Sequence, residues 1–453
     1  MPTKPDMEEK SHPDTKIDME MAPSVIDIES NCKDTRERST TFSQSIFHLV
    51  KASLGTGILA MPSAFKNAGY MVGILGTIVI GAICTYTIHI LTNSSTELSK
   101  TEQNDKGLNY AETVEAAFRK GPIFFRKYAK LARFVTDTLI VLYQLGSNCI
   151  YIVFISENIK AVVDVYTDGN TDVRMCMFAI LIPLWSTIWL KDFKVLSPFS
   201  TIVTYLTMAS FTIIFYYIFR DMPSLEHRNK VGTASNIPLA LGTVLFAMEA
   251  IGAILPLLND MKYPERFSSK FGVINVSLIP IAGLYAFIGF FGYLRYGEET
   301  KGSITLDLPS EEIPAQITKL ILSLSIFICY ALSNLISYDI FEKFFDRTCP
   351  RNKNVGMHIL RTSTVLITFI LAGIFANLED MIALIGTLCL STVGVALPAI
   401  INQLTFYEHY RKQGKWRYVI FCLSNLAIVL VAIFALVVGM YKSVTNIMNT
   451  MEK

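Results

Sequence analysis

Residues 48–62, HLVKASLGTGILAMP, put a titratable ring, a cation and a backbone break into one apolar run. His48 titrates near neutral pH. His48 and Lys51 stand three apart and share a helix face, which Ala52 and Gly55 extend. Gly55, Gly57 and Pro62 loosen and interrupt the helix that carries them. A second apolar run, EAIGAILPLL at residues 249–258, again sets glycine ahead of proline and opens with an acid, Glu249. Backbone groups freed inside a membrane are tolerated where protein or a wet cavity covers them. A half-helix starting near Gly57 offers free N–H groups and a positive dipole end to a carboxylate. Unwound carbonyls near Ile251 to Ala253 offer the opposite pole to an ammonium. Together they suit an α-amino acid. The bland reading, that both are packing kinks, fits one helix better than a matched pair.

The elements that position these groups follow from hydropathy. The chain has 453 residues, 51% hydrophobic and 17% charged. Runs of bilayer-spanning length recur from end to end, so the expected fold is an all-α polytopic membrane protein with eleven transmembrane helices. The spans run roughly over 45–67, 70–93, 131–160, 173–191, 196–219, 237–257, 270–294, 317–343, 358–376, 379–404 and 418–441. The two breaks fall in spans 1 and 6, each opening a five-helix half, as in transporters built from inverted repeats. Residues 1–42 carry ten acids and six bases and read as a disordered cytosolic tail with no signal core. The transporter domain covers 43–441, and 442–453 is a short C-terminal tail. LNYAETVEAAFRKGP, between spans 2 and 3, reads as an amphipathic helix on the membrane surface.

Of the 40 Lys and Arg, 28 fall on one set of alternate loops and ends and 11 on the other. This bias places the N-terminus in the cytosol and the C-terminus outside or in a lumen. Intramembrane ionisable groups are functional candidates. Glu249 stands deepest; Asp137, Glu157 and Asp339 lie nearer span ends and read as structural, as does His89. Lys51 is placed to snorkel to the inner surface. The eight cysteines are scattered, and no disulfide is expected. The net charge of +2 says nothing about nucleic acid; with no basic tail, zinc spacing or phosphate loop, no nucleic-acid partner, metal or other cofactor is expected. No catalytic constellation is present, so the chain is not expected to be an enzyme.

Four ordered blocks carry a resemblance: HLVKASLGTGILAMPSAFKNAG, QLGSNCIYIVF, FAMEAIGAILPLLNDMK and GYLRYGEETKGSITLDLP. Over residues 42 to 440 the chain resembles the proton-coupled amino acid transporters of the amino acid/auxin permease superfamily. The resemblance implies a leucine-transporter-type fold, five plus five inverted helices plus one. It implies symport of small neutral amino acids, of the alanine, glycine and proline class, with protons. It places proton coupling on His48 and Glu249, and substrate binding on Ser53, Gly55, Thr56, Gly57, Phe246, Glu249, Ala250 and Gly252. Where mammalian members resemble FAFEGIG, this chain reads FAMEAIG; Met248 and Ala250 reshape that stretch. Ser333, Asn334 and Ser337 make span 8 more polar than is usual, and the family's outer-loop cysteine pair is absent. Two alternatives stand beside symport with protons. One is sodium coupling through Ser333, Ser337 and span 1 carbonyls. The other is a low-flux amino acid sensor whose tail recruits a growth-signalling partner. Plasma membrane and late endosome or lysosome both fit.

Overall fold

Apolar runs in a membrane must satisfy their backbone within the run, so they fold as helices. In the computed structural model, span 1 comprises α1 (Phe42–Ser53), α2 (Thr56–Leu59) and α3 (Met61–Ala68). Then come α4 (Tyr70–Thr101), α5 (Tyr110–Lys120), α6 (Ile123–Arg126), α7 (Ala129–Val163), α8 (Val173–Ser186) and α9 (Phe193–Phe219). Span 6 is divided into α10 (Ile237–Ala247) and α11 (Ile251–Asp260). There follow α12 (Val273–Tyr296), α13 (Ile304–Asp307), α14 (Ile313–Thr348), α15 (Lys353–Ile374) and α16 (Leu378–Ile385). A π-helical stretch, Gly386–Ala396, leads into α17 (Leu397–Lys412), and α18 (Lys415–Met451) ends the chain. The structure describes residues 40–451, apart from 105, 168, 170, 190–192, 249–250, 349–352 and 376. The tail expected over 1–42 lies almost wholly outside them, as do Cys32 and Cys349.

Among the described residues, nine helices are long and apolar enough to cross a bilayer. Eleven were expected, and the difference lies in two segments. Span 1 is cut into three short helices, and Val173–Trp189 is apolar but shorter than the rest. The last helix continues to Met451, through residues expected to form a separate tail.

The helix of residues 110–120 forms as expected, and one face of it is packed against protein. Asn109 caps it, accepting from the Glu112 N–H at 2.9 Å while the Glu112 carboxylate accepts from the Asn109 N–H at 3.0 Å. Its inner face is buried against α7 and α17, with the Tyr110 hydroxyl donating to Val393 O at 2.6 Å. Burial pushes the Glu115 carboxyl up, and Arg133 and Arg119 more than offset this, so the group sits below its usual range.

The core lies where α7 runs along α14, α12 along α4, and α10 against α3 and α16. Helix α18 covers its flank: 17% of its apolar window is buried, against 67% for Leu378–Lys412. Its exposed Ile420, Leu423, Leu430, Phe434 and Val437 suit lipid rather than water.

Candidate substrate site

Span 1 breaks at Leu54 and Gly55. Helix α1 ends at Ser53, Leu54 leaves the helical region (φ −84°, ψ 63°), and Gly55 is extended (φ −106°, ψ −155°). The freed groups are only partly reused. Ser53 O accepts from the Tyr285 hydroxyl of α12 and from the Gly55 N–H at 3.0 Å, and Ser53 Oγ donates to Leu49 O at 3.0 Å. The Gly55 amide, expected to meet a carboxylate, is therefore spent on Ser53. As at any helix start, the next amides, Thr56, Gly57 and Ile58, have no acceptor within the helix.

The two breaks meet. A Cβ on Gly57 would stand 2.5 Å from Ala247 Cα and 3.1 Å from its nitrogen, so α2 touches the last residue of α10 backbone to backbone. This contact requires glycine. Gly55 differs: a Cβ there would meet nothing within 4 Å, and the same holds for Gly252 of α11. Helix α10 stops at Ala247, with Met248 N–H bonded to Val244 O at 3.0 Å. Helix α11 is already wound at Ile251. The open carbonyls thus belong to the end of α10 rather than to Ile251–Ala253, because those three residues are already helical. Glu249 and Ala250 lie outside the described residues.

Other expected site residues are spread out. Ser53, Thr56 and Gly57 are buried at the break. Phe246 is buried with its Cβ against Gly386 of the π-helical stretch, so it forms a wall between span 6 and span 10. His48 is exposed, with its ring edge-on to Phe47 at 6.3 Å between centroids. It lies six residues before the break, roughly 9 Å along the helix axis, and does not join the backbone pocket. Lys51 is half-buried. His89 Nε2 pairs with Asn275 Oδ1 at 2.8 Å, and Asp137 stands 4.0 Å from Arg133.

Two polar arrangements were not anticipated as units. In the core between α7 and α14, Ser333 Oγ donates to Gln144 Oε1 at 2.7 Å and Asn148 Nδ2 donates to Asn334 Oδ1 at 2.8 Å. Ser147 Oγ, Asn148 Oδ1 and Asn334 Nδ2 stay buried without a partner. The signals were QLGSN and the polar residues of span 8, but nothing in the sequence pairs them. The second is a latch at the far end of span 1. Lys66 Nζ donates to Glu379 at 3.1 Å and to Thr300 O at 2.8 Å, while Asn67 Nδ2 donates to the other Glu379 oxygen. Glu379 lies in the first turn of α16, behind its cap Asn377.

Residues 38–442 match the family described as "Transmembrane amino acid transporter protein". The chain belongs to this amino acid/auxin permease family. It is 33% identical over 434 residues to the Drosophila melanogaster "Proton-coupled amino acid transporter-like protein pathetic", covering 96% of this chain and 91% of that one. It is 24% identical over 422 residues to the Caenorhabditis elegans "Probable amino acid transporter skat-1", covering 91% of each. Among solved structures, an inward-facing conformation of Mhp1 superposes with a TM-score of 0.59 at 14% identity, over 92% of both chains. Mhp1 in a closed conformation, a nucleobase-cation-symport-1 family transporter with bromovinylhydantoin bound, gives 0.51 at 13% identity, over 92% of this chain and 93% of that one. The family member is therefore an all-helical, multi-pass membrane protein with an Mhp1-like transporter fold.

Proposed function

We propose that the protein carries small neutral amino acids, of the alanine, glycine and proline class, across its membrane together with protons. One observation carries the reading: the two interrupted helices meet backbone to backbone at Gly57 and Ala247, with open space beside Gly55. The substrate carboxylate takes the Thr56, Gly57 and Ile58 amides, and its ammonium takes the carbonyls ending α10. Phe246 and Gly252 border the site, and Glu249 and Ala250 complete it.

On this reading span 1 and α8 complete eleven crossings, five plus five plus one. The N-terminus is cytosolic, the Lys66 end of span 1 faces outside or the lumen, and the C-terminus lies on that same side. Plasma membrane and late endosome or lysosome both suit this topology. The latch closes the outer mouth, while His48 faces the inner solution. Proton coupling rests on His48, with Glu249 sharing its network. The bundle of spans 1 and 6 rocks against spans 3, 4, 8 and 9. Coupling to protons is supported by the name of the fruit-fly relative.

The test is radiolabelled alanine, glycine and proline uptake with current recording, at outside pH 5.5 and 7.5, with and without sodium. Acid-stimulated, sodium-independent uptake with inward current is expected. Sodium-dependent, acid-insensitive uptake would replace protons by sodium. Binding without flux would point to a sensor.

A further inference from the structure

The loop joining α12 to α14 folds over the latched end of span 1. Gly297 turns it (φ 63°), the one-turn helix α13 is capped by Ser303, and Ile304 and Thr305 are fully buried. Ile304 sits against Gly292, which in turn abuts Pro62 of α3, and Gly302 lies against Glu379. The loop is therefore part of the outer closure.

Asp307 ends α13. Its Oδ1 accepts the Lys301 N–H at 3.0 Å and ties the loop to itself. Its Oδ2 is out of contact with solvent and has no hydrogen-bond partner. Four groups face this carboxyl: Lys301 of the loop, Lys66 of α3, Lys319 of α14 and Tyr296 of α12. Glu157 of α7 faces Lys301. The three lysines carry charge into the region but spend their hydrogen bonds elsewhere. Lys66 Nζ goes to Glu379 and Thr300 O, Lys301 Nζ to Leu306 O at 3.3 Å, and Lys319 Nζ to Leu308 O at 3.1 Å and to Ser310. A carboxylate oxygen buried without a donor is costly, and adding a proton removes the charge while leaving Oδ1 free to accept.

We propose that Asp307 is a second proton-binding group of this protein, taking a proton from the outer solution when the loop closes. Burial pushes the closed-state carboxyl up to about 7, against the Lys301 N–H and the lysine charges. With the loop open, Asp307 meets water and returns toward the ordinary carboxylate range. A group whose affinity for protons is higher in the closed state favours closure at low pH. Closure is favoured as the outer pH falls through about 7 and weakens above it. The outer mouth therefore shuts with a proton in it, independently of His48 at the other end. The proposal rests on the chain being a carrier with an outer gate, but not on its substrate or on proton symport.

Hydrogen–deuterium exchange of residues 297–310 in nanodiscs tests it without any transport, once rates are corrected for the intrinsic pH dependence. Protection of the Lys301 region is expected to fall several-fold between pH 6 and pH 8 in the wild type. Asp307→Asn, neutral at every pH, should keep it high and constant, and Asp307→Glu should restore a pH dependence. A wild-type loop whose corrected protection does not change with pH overturns the proposal, and so does a dependence that survives in Asp307→Asn. If the loop behaves as expected while acid-stimulated uptake is absent, proton symport fails and the gate proposal stands.

Discussion

Span 1 is held differently at its two ends. At Lys66 and Asn67 it is tied to Glu379 and Thr300 by a mostly buried ion pair and two further hydrogen bonds. At the other end Thr40 makes two backbone bonds to the end of span 6, at 3.1 and 3.0 Å, and His48 eight residues on is exposed. The difference has a physical meaning. Charge-assisted bonds shielded from water make a strong but reversible clasp. The proposed function assigns opening and shutting to the first end and proton loading to the second, with the break between them letting the two halves of the helix move separately.

The largest expected effect comes from removing that independence. Gly57→Val drives a side chain into the Ala247 backbone, so α2 and α10 must separate. Uptake per surface copy should fall by more than about 10-fold, a barrier increase above ~1.4 kcal/mol. Gly55→Ala is the contrast, since its Cβ meets nothing. Expression should be unchanged, and any loss should appear in KM as substrate size grows from glycine to proline. Equal damage from both substitutions would remove the distinction between contact and cavity.

Next in size is His48→Ala, which should abolish the gain in uptake between outside pH 7.5 and 5.5 while leaving the protein at the surface. An unchanged pH profile would move proton coupling away from this end. Glu379→Gln should weaken the latch by about 1–3 kcal/mol. The outer mouth would then be open more often, read as faster labelling of a cysteine placed at buried Ser63 by a membrane-impermeant reagent. Lys66→Met should act in the same direction, and the double variant should add little, since both remove one pair. The smallest effect is expected at the core pair: Ser333→Ala leaves Gln144 Oε1 without its donor. It should lower thermal stability by a few degrees, about 1–3 kcal/mol, with a modest effect on uptake.

Some of this was legible in residue types. Glycine and proline within two apolar runs located the break in span 1 to within a residue or two, because few other residues permit it. The amphipathic pattern of LNYAETVEAAFRKGP announced α5 as a helix. Its burial was not legible, because an amphipathic face fits a lipid surface or a protein groove alike. The count of spans was blurred where a helix is broken or short, as at span 1 and Val173–Trp189.

By itself the sequence determined that this chain is helical, multi-pass and interrupted in spans 1 and 6, since hydropathy and backbone freedom are properties of local residues. Only the tertiary structure decided what meets what. Gly57 touches Ala247, Gly55 opens onto space, and the Gly55 amide is taken by Ser53. Lys66 finds Glu379 across 313 residues, and Asp307 keeps an oxygen unpaired within the loop that joins α12 to α14. Gly57 with Ala247 and Lys66 with Glu379 are contacts between distant parts of the chain. Their energies depend on distance and on exclusion of water, which no local pattern of residues encodes.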